Sequence, residues 1–195
     1  MQKKFLIAVL AISTWSIAYT QDLDAFNTER LDLTKKGMVV LGSWAVANIA
    51  LSPVFVNNSS GSEKYFHQMN GYWNVVNLLV AGLGYYSATK TNPDGLTAGE
   101  SLKEQQKLEK TLLFNAGLDI AYVVGGLYLR ERSENTNDNP DRLEGFGQSL
   151  ILQGGFLFVF DIVFYLAQRC HGLKLFGLVD NLALSPTGFK LTWKL

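Results

Sequence analysis

Two stretches decide the fold: GMVVLGSWAVANIALSPVFVNNSSGS, residues 37–62, and YFHQMNGYWNVVNLLVAGLGYYSAT, residues 65–89, separated only by Glu63-Lys64. Neither contains an Asp, Glu, Lys or Arg. About 20 mainly apolar residues in a helix cross a bilayer core, because 1.5 Å per residue matches roughly 30 Å of hydrocarbon. The pair therefore reads as a membrane hairpin, with the turn formers Asn57-Asn58-Ser59-Ser60-Gly61 at its tip.

Working outward, the same reading gives two more spans. The expected spans are 37–56, 68–88, 111–130 and 146–168, within a four-helix domain over 22–181. An amphipathic lead-in, Asp24 to Lys36, precedes the first. After the second, Thr91-Asn92-Pro93-Asp94-Gly95 is a turn, and Ser101 with Glu104 has the spacing of a capping box. Leu102 to Lys110 is charged and belongs to water or the headgroup layer, and a loop is expected over Glu131 to Gly145. The predicted fold class is all-α, a four-helix transmembrane bundle after an N-terminal signal peptide, with a short extended or β-hairpin-like tail. That tail, residues 182–195, follows from alternating Leu182, Leu184, Phe189, Leu191, Trp193 and Leu195 around Ser185-Pro186-Thr187-Gly188.

Residues 1–21 have the three regions of a secretory signal: Lys3-Lys4, the apolar Phe5 to Ile12, then Ser16-Ile17-Ala18. Cleavage would start the mature chain between Tyr19 and Asp22. An uncleaved anchor is the competing reading, although Phe5 to Tyr19 is short for a span. The expected location is a bacterial inner membrane, multi-pass, with both termini outside. Lys and Arg in the connections favour the reverse orientation, against the exporting signal.

Composition points the same way. Charged residues are 17% of the chain, below the roughly 25% of soluble domains, which sets a soluble bundle with unusually apolar helices at a disadvantage. Lys plus Arg and Asp plus Glu are both 17, so no basic surface for nucleic acid is expected. The single cysteine, Cys170, has no internal disulfide partner. The two histidines, His67 and His171, fall at opposite membrane faces, too far apart to share a haem or metal. No HExxH, CxxC, GxSxG or P-loop spacing occurs, so no cofactor and no conventional catalytic centre is expected. Gly125-Gly126 and Gly154-Gly155 read as close-packing sites between helices.

The polar residues inside the spans carry the functional reading. Asn70, Asn74 and Asn77 form one stripe on the second helix; Asn115, Asp119 and Tyr122 repeat the spacing on the third, and Asp161, Tyr165 and Gln168 on the fourth. Facing lipid, such groups would each cost several kcal/mol, so they should converge inside. The expected site of a non-enzymatic module for a small ligand, lipid headgroup or ion is lined by Asn115, Asp119, Asp161 and Tyr165, with Asn48, Asn74 and Asn77 as its floor. An ionisable residue in a span is a functional-site hypothesis by default; helix glue is the competing role. Expected partners are membrane lipid, a small ligand or ion, and a membrane-protein partner if the chain is an assembly subunit.

The strings Phe26-Asn27-x-x-Arg30-Leu31, Lys36-Gly37-Met38-Val39-Val40-Leu41-Gly42-x-Trp44-Ala45-x-x-Asn48 and Tyr65-Phe66-His67-Gln68-Met69-Asn70-x-x-Trp73-Asn74-x-x-Asn77 resemble an uncharacterised family of small multi-pass, four-helix membrane proteins of the Bacteroidota. The resemblance implies a four-helix membrane fold with a signal sequence. It supplies no catalytic or binding role.

Overall fold

The computed structural model describes the backbone over residues 2–180, 184–185 and 188–189, and side chains over residues 21–177. Four helices account for the fold: α1 Gln2–Asn58, α2 Gly61–Lys90, α3 Ala98–Glu134 and α4 Pro140–Asp180. Of the tail, β1 Leu184–Ser185 and β2 Gly188–Phe189 pair antiparallel, Leu184 opposite Phe189. The remainder of 182–195, and the side chains of residues 1–20 within the expected signal peptide 1–21, lie outside the described residues.

Connections are short where turn chemistry demands it. Only Ser59-Ser60 joins α1 to α2, and Gly61 takes φ +57°, which an L side chain rarely adopts. Between α2 and α3, Asn92 Oδ1 accepts from Asp94 N and Gly95 takes φ +77°, as the turn formers there require. The capping box sits one turn earlier than the sequence suggests. Thr97 Oγ1 accepts from Glu100 N while Glu100 accepts from Thr97 N, and Ser101 is turned inward to another helix. The last connection is also shorter than expected, 135–139 rather than 131–145, because α3 continues through Glu131–Glu134 and α4 begins at Pro140.

The bundle is two helical hairpins, α1–α2 and α3–α4, joined chiefly along α2 and α4. Glycine permits the tightest crossings. A Cβ on Gly126 would lie 2.5 Å from the Gly147 carbonyl oxygen, and one on Gly147 would lie 2.6 Å from that of Gly126. Gly154 meets the backbone of Asp119, and Gly145 that of Ser62 and Phe66. Gly125 and Gly155 have nothing within 4 Å, so only one member of each expected glycine pair is a packing site.

Side chains sort differently along the helix axes. Over the spans, Val46, Leu51, Val76, Leu79, Phe114, Ile120, Val159 and Val163 are exposed, while Asn70, Asn74, Asn77, Asp119, Gln153 and Asp161 are buried. Beyond the spans, α1, α3 and α4 continue on one side into a cap. Here Leu23, Phe26 and Leu175 form an apolar core, with Ala98 and Leu102 against it. Stretches of α1, α3 and α4 are long and apolar enough to cross a membrane. α2 falls short of that hydropathy because three asparagines occupy its middle, yet they face inward and its outer surface, Tyr72 through Tyr86, presents large apolar side chains.

Candidate functional site

The buried stripe of α3 runs Ser101, Gln105, Glu109, Leu112, Ala116, Asp119 and Gly126, a spacing that holds one helical face toward α4. The facing stripe of α4 includes Ser149, Gln153, Asp161, Phe164, Gln168 and Leu175. Registering the two produces polar layers at different depths.

In the layer nearest the hairpin tips the amides satisfy one another, while the buried Trp73 Nε1 has no partner. Asn70 Oδ1 accepts from Ser149 Oγ at 2.7 Å and from Gln153 Nε2 at 3.1 Å. Gln153 Oε1 accepts from Trp44 Nε1 at 3.0 Å, and the Trp44 ring stacks on Phe156 with centroids 3.9 Å apart. Asn77 Nδ2 donates to Asn74 Oδ1, and Asn74 Nδ2 donates to the Asn70 carbonyl one turn back. Asn48 donates to the Trp44 carbonyl on its own helix. Three helices are stitched here by groups that satisfy one another, the arrangement expected of interhelical glue.

The next layer is different. The carboxyls of Asp119 and Asp161 are buried and adjoin across the α3–α4 interface. Asp119 Oδ2 has no hydrogen-bond partner. No Lys or Arg occurs in residues 111–129 or 146–168 to neutralise them. An ionised carboxylate only accepts, so a hydrogen bond between two carboxyls needs a proton on one of them; a bound cation is the other way to hold the pair together. No third His, Cys, Asp or Glu joins them among the described residues. Two oxygen-bearing ligands are too few for a transition-metal centre, which takes three or four protein ligands.

Of the seven residues expected at the site, Asp119 and Asp161 are brought together, and Asn74 and Asn77 share the asparagine layer with Asn70. Asn48 stays with α1, while Asn115 and Tyr165 are half-buried one turn from Asp119 and Asp161 respectively.

Sequence reasoning missed a third polar cluster, inside the cap. Asn27 Nδ2 donates to Ser101 Oγ at 2.8 Å, and Gln105 Nε2 donates to the Gln168 carbonyl at 2.7 Å and to Glu109 at 3.0 Å. Gln168 Nε2 reaches Thr34 Oγ1 at 3.2 Å, and Arg169 pairs with Glu109 at 3.2 Å. His171 Nε2 lies 3.0 Å from the Phe26 carbonyl, its ring is stacked on Phe26, and Lys174 pairs with Glu29 at 2.6 Å. Burial lowers His171 from its ordinary value, against the raising effects of the Phe26 carbonyl and Glu29, with Lys174 and Arg30 also lowering it. Burial likewise lowers Arg30, opposed by Glu104. The available signal was the Phe26-Asn27-x-x-Arg30-Leu31 string, whose residues all prove buried.

Residues 40–162 match the model of the Family of unknown function (DUF6992). The chain belongs to that family. This agrees with the uncharacterised four-helix family that the sequence resembles, and it brings no activity with it. No curated protein and no solved structure matches the chain. The family match takes in the asparagine layer, both aspartates and the α3 part of the cap, and leaves out the cap residues of α1 and α4.

Proposed function

We propose that this protein is a non-enzymatic membrane module whose Asp119–Asp161 pair binds a proton or a small monovalent cation. The observation that carries the reading is the contrast in satisfaction at membrane depth. Asn70, Ser149, Gln153 and Trp44 are satisfied by one another, whereas two carboxyls meet without a counter-charge and leave Asp119 Oδ2 unpartnered. Such a pair is costly in a bilayer and gives a cation or proton a partner that the asparagine layer does not. In the same reading α2 is the fourth span, its asparagines turned inward and its apolar face toward lipid. The protein then lies multi-pass in a bacterial inner membrane, after removal of residues 1–21.

A structural or assembly subunit is the second reading. The self-satisfied layer of Asn70, Asn74, Asn77, Ser149 and Gln153 favours it, since those groups hold helices and offer nothing to a ligand. Melting of the detergent-solubilised protein in sodium, potassium or choline salts, across pH, separates the two. Ion binding predicts a cation- or pH-dependent melting temperature that both Asp119→Asn and Asp161→Asn abolish without loss of helicity. A wild-type melting curve indifferent to cation and pH, with the variants changing only its midpoint, would decide for the structural reading.

A further inference from the structure

At the end of the bundle opposite the cap, the last turns of α3, the connection 135–139 and the first turns of α4 enclose a groove of about 370 Å³. Arg132 and Arg142 lie on its two sides, with Thr136 and Asp138 between them and Tyr128 and Phe146 at its apolar end. Each guanidinium is held by an aromatic side chain. Arg132 Nη1 donates to Tyr128 Oη at 3.3 Å, and Arg142 sits over the Phe146 ring, 5.1 Å from its centroid. Neither arginine forms an ion pair with a described residue. An arginine presents five N–H donors in a fork suited to phosphate oxygens, so both retain most of their donors for a ligand.

The connection itself is shaped by short polar contacts. Asp138 N donates to Thr136 Oγ1 at 3.2 Å, and Asn139 Nδ2 donates to Asp138 Oδ1 at 2.7 Å, leaving the other Asp138 oxygen to the groove. The lining thus carries two cations and one anion. Its complement is a molecule with a phosphate and, separately, an ammonium group that can donate hydrogen bonds. Exposed Val124, one turn before Tyr128, continues the apolar surface along α3 away from the groove. A soluble phosphate compound would have no use for that surface, whereas an acyl chain would lie along it.

We propose that this groove binds the headgroup of an aminophospholipid, with the phosphodiester between Arg132 and Arg142 and the primary ammonium at Asp138. The inference rests on the membrane placement of α3 and α4 and is independent of the acidic pair.

Native mass spectrometry of the full-length protein, released from detergent after exchange with phosphatidylethanolamine, phosphatidylglycerol or phosphatidylcholine of identical acyl chains, reads the preference directly. The expected order places phosphatidylethanolamine first: phosphatidylglycerol lacks the ammonium, and the quaternary ammonium of phosphatidylcholine cannot donate to Asp138. Arg132→Gln and Arg142→Gln should each lower its retention about fivefold, the effect of one lost cation near a lipid phosphate. Lys107→Gln and Lys110→Gln, which remove the same charge at the cap side, should leave it unchanged. Asp138→Asn should erase the preference for phosphatidylethanolamine over the other two lipids. Arg132→Lys and Arg142→Lys keep the charge and lose the fork, so an intermediate loss is expected even if a glutamine variant fails to fold. Equal retention of the three lipids by the wild type, or equal losses from the lysine and arginine sites, would overturn the proposal. Displacement of phosphatidylethanolamine by inorganic phosphate would overturn it in favour of a soluble anion. Those outcomes leave the cation response of Asp119 and Asp161 untouched.

Discussion

The cap adds an apolar core to the buried polar groups that it shares with the spans. In the cap, Leu23, Phe26 and Leu175 are hidden, and Glu29, Lys103 and Lys174 face outward. A few turns away, Asp119, Gln153 and Asp161 are hidden, and Val76, Phe114 and Val159 face outward. Burial follows the contrast between a side chain and the medium outside. Water expels the apolar residues of the cap; a hydrocarbon medium has no such preference and makes every uncompensated polar group costly, so polar residues collect inside. The boundary between the regimes falls within α1, α3 and α4, without a break in any of them.

Truncating matched phenylalanines gives the largest effect expected from this contrast. Phe26→Ala should cost the cap about 3–5 kcal/mol, the usual penalty for emptying a buried aromatic site, read as increased amide exchange in residues 21–35. The exposed Phe114→Ala should leave exchange along α3 nearly unchanged. Equal sensitivity at both positions would mean that the spans hold an apolar core of their own.

A charge on the outer surface tests the other half of the comparison. Val159→Lys, in the middle of the fourth span, should oppose membrane insertion by about 3 kcal/mol, measured with an engineered glycosylation reporter. Ala25→Lys on the exposed side of the cap should fall within about 0.5 kcal/mol of wild type. Gly126→Ala sharpens the account at the α3–α4 crossing. The added methyl meets the Gly147 carbonyl and Ile151, so a loss of about 1–3 kcal/mol in detergent unfolding is expected, while Gly125→Ala, facing open space, should be neutral or slightly stabilising.

The smallest effect expected is a pH response confined to the cap. Because burial lowers His171 below its ordinary 6.5, the unfolded chain takes up a proton, as pH falls through about 6.5, that the folded cap resists. This contribution to stability is complete above that pH and declines below it. Amide exchange in residues 168–175 should therefore rise on acidification, and His171→Gln should remove that rise while leaving exchange in the spans as it was.

How far these features could be read from sequence depends on how local their causes are. The four helices and the turn at Asn92–Gly95 are set by residues adjacent in the chain, and they were legible. The capping box was ambiguous because Thr97/Glu100 and Ser101/Glu104 share one spacing; the choice falls to the first because Ser101 is needed by Asn27, 74 residues away. The charged residues Glu131–Glu134 suggested loop and proved helical, since charge alone does not stop a helix. Asp119 and Asp161 were each recognisable as polar residues at membrane depth, but their meeting depends on the register of α4 against α3, which Gly126, Gly147 and Gly154 fix by close backbone approach. The cap cluster was least legible of all, because amides and a histidine on three distant segments look like ordinary surface residues until packing joins them.

That cap also has a place in time. Phe26 and His171 are 145 residues apart, as are Glu29 and Lys174, so the clasp between them requires both α1 and the far end of α4. The α1–α2 hairpin can be made and inserted long before that, with Leu23 and Phe26 still open to water. Closure of the cap then marks a chain whose four helices have all arrived, and an incomplete or misassembled chain keeps a small apolar patch on show where chaperones and proteases recognise unfinished proteins.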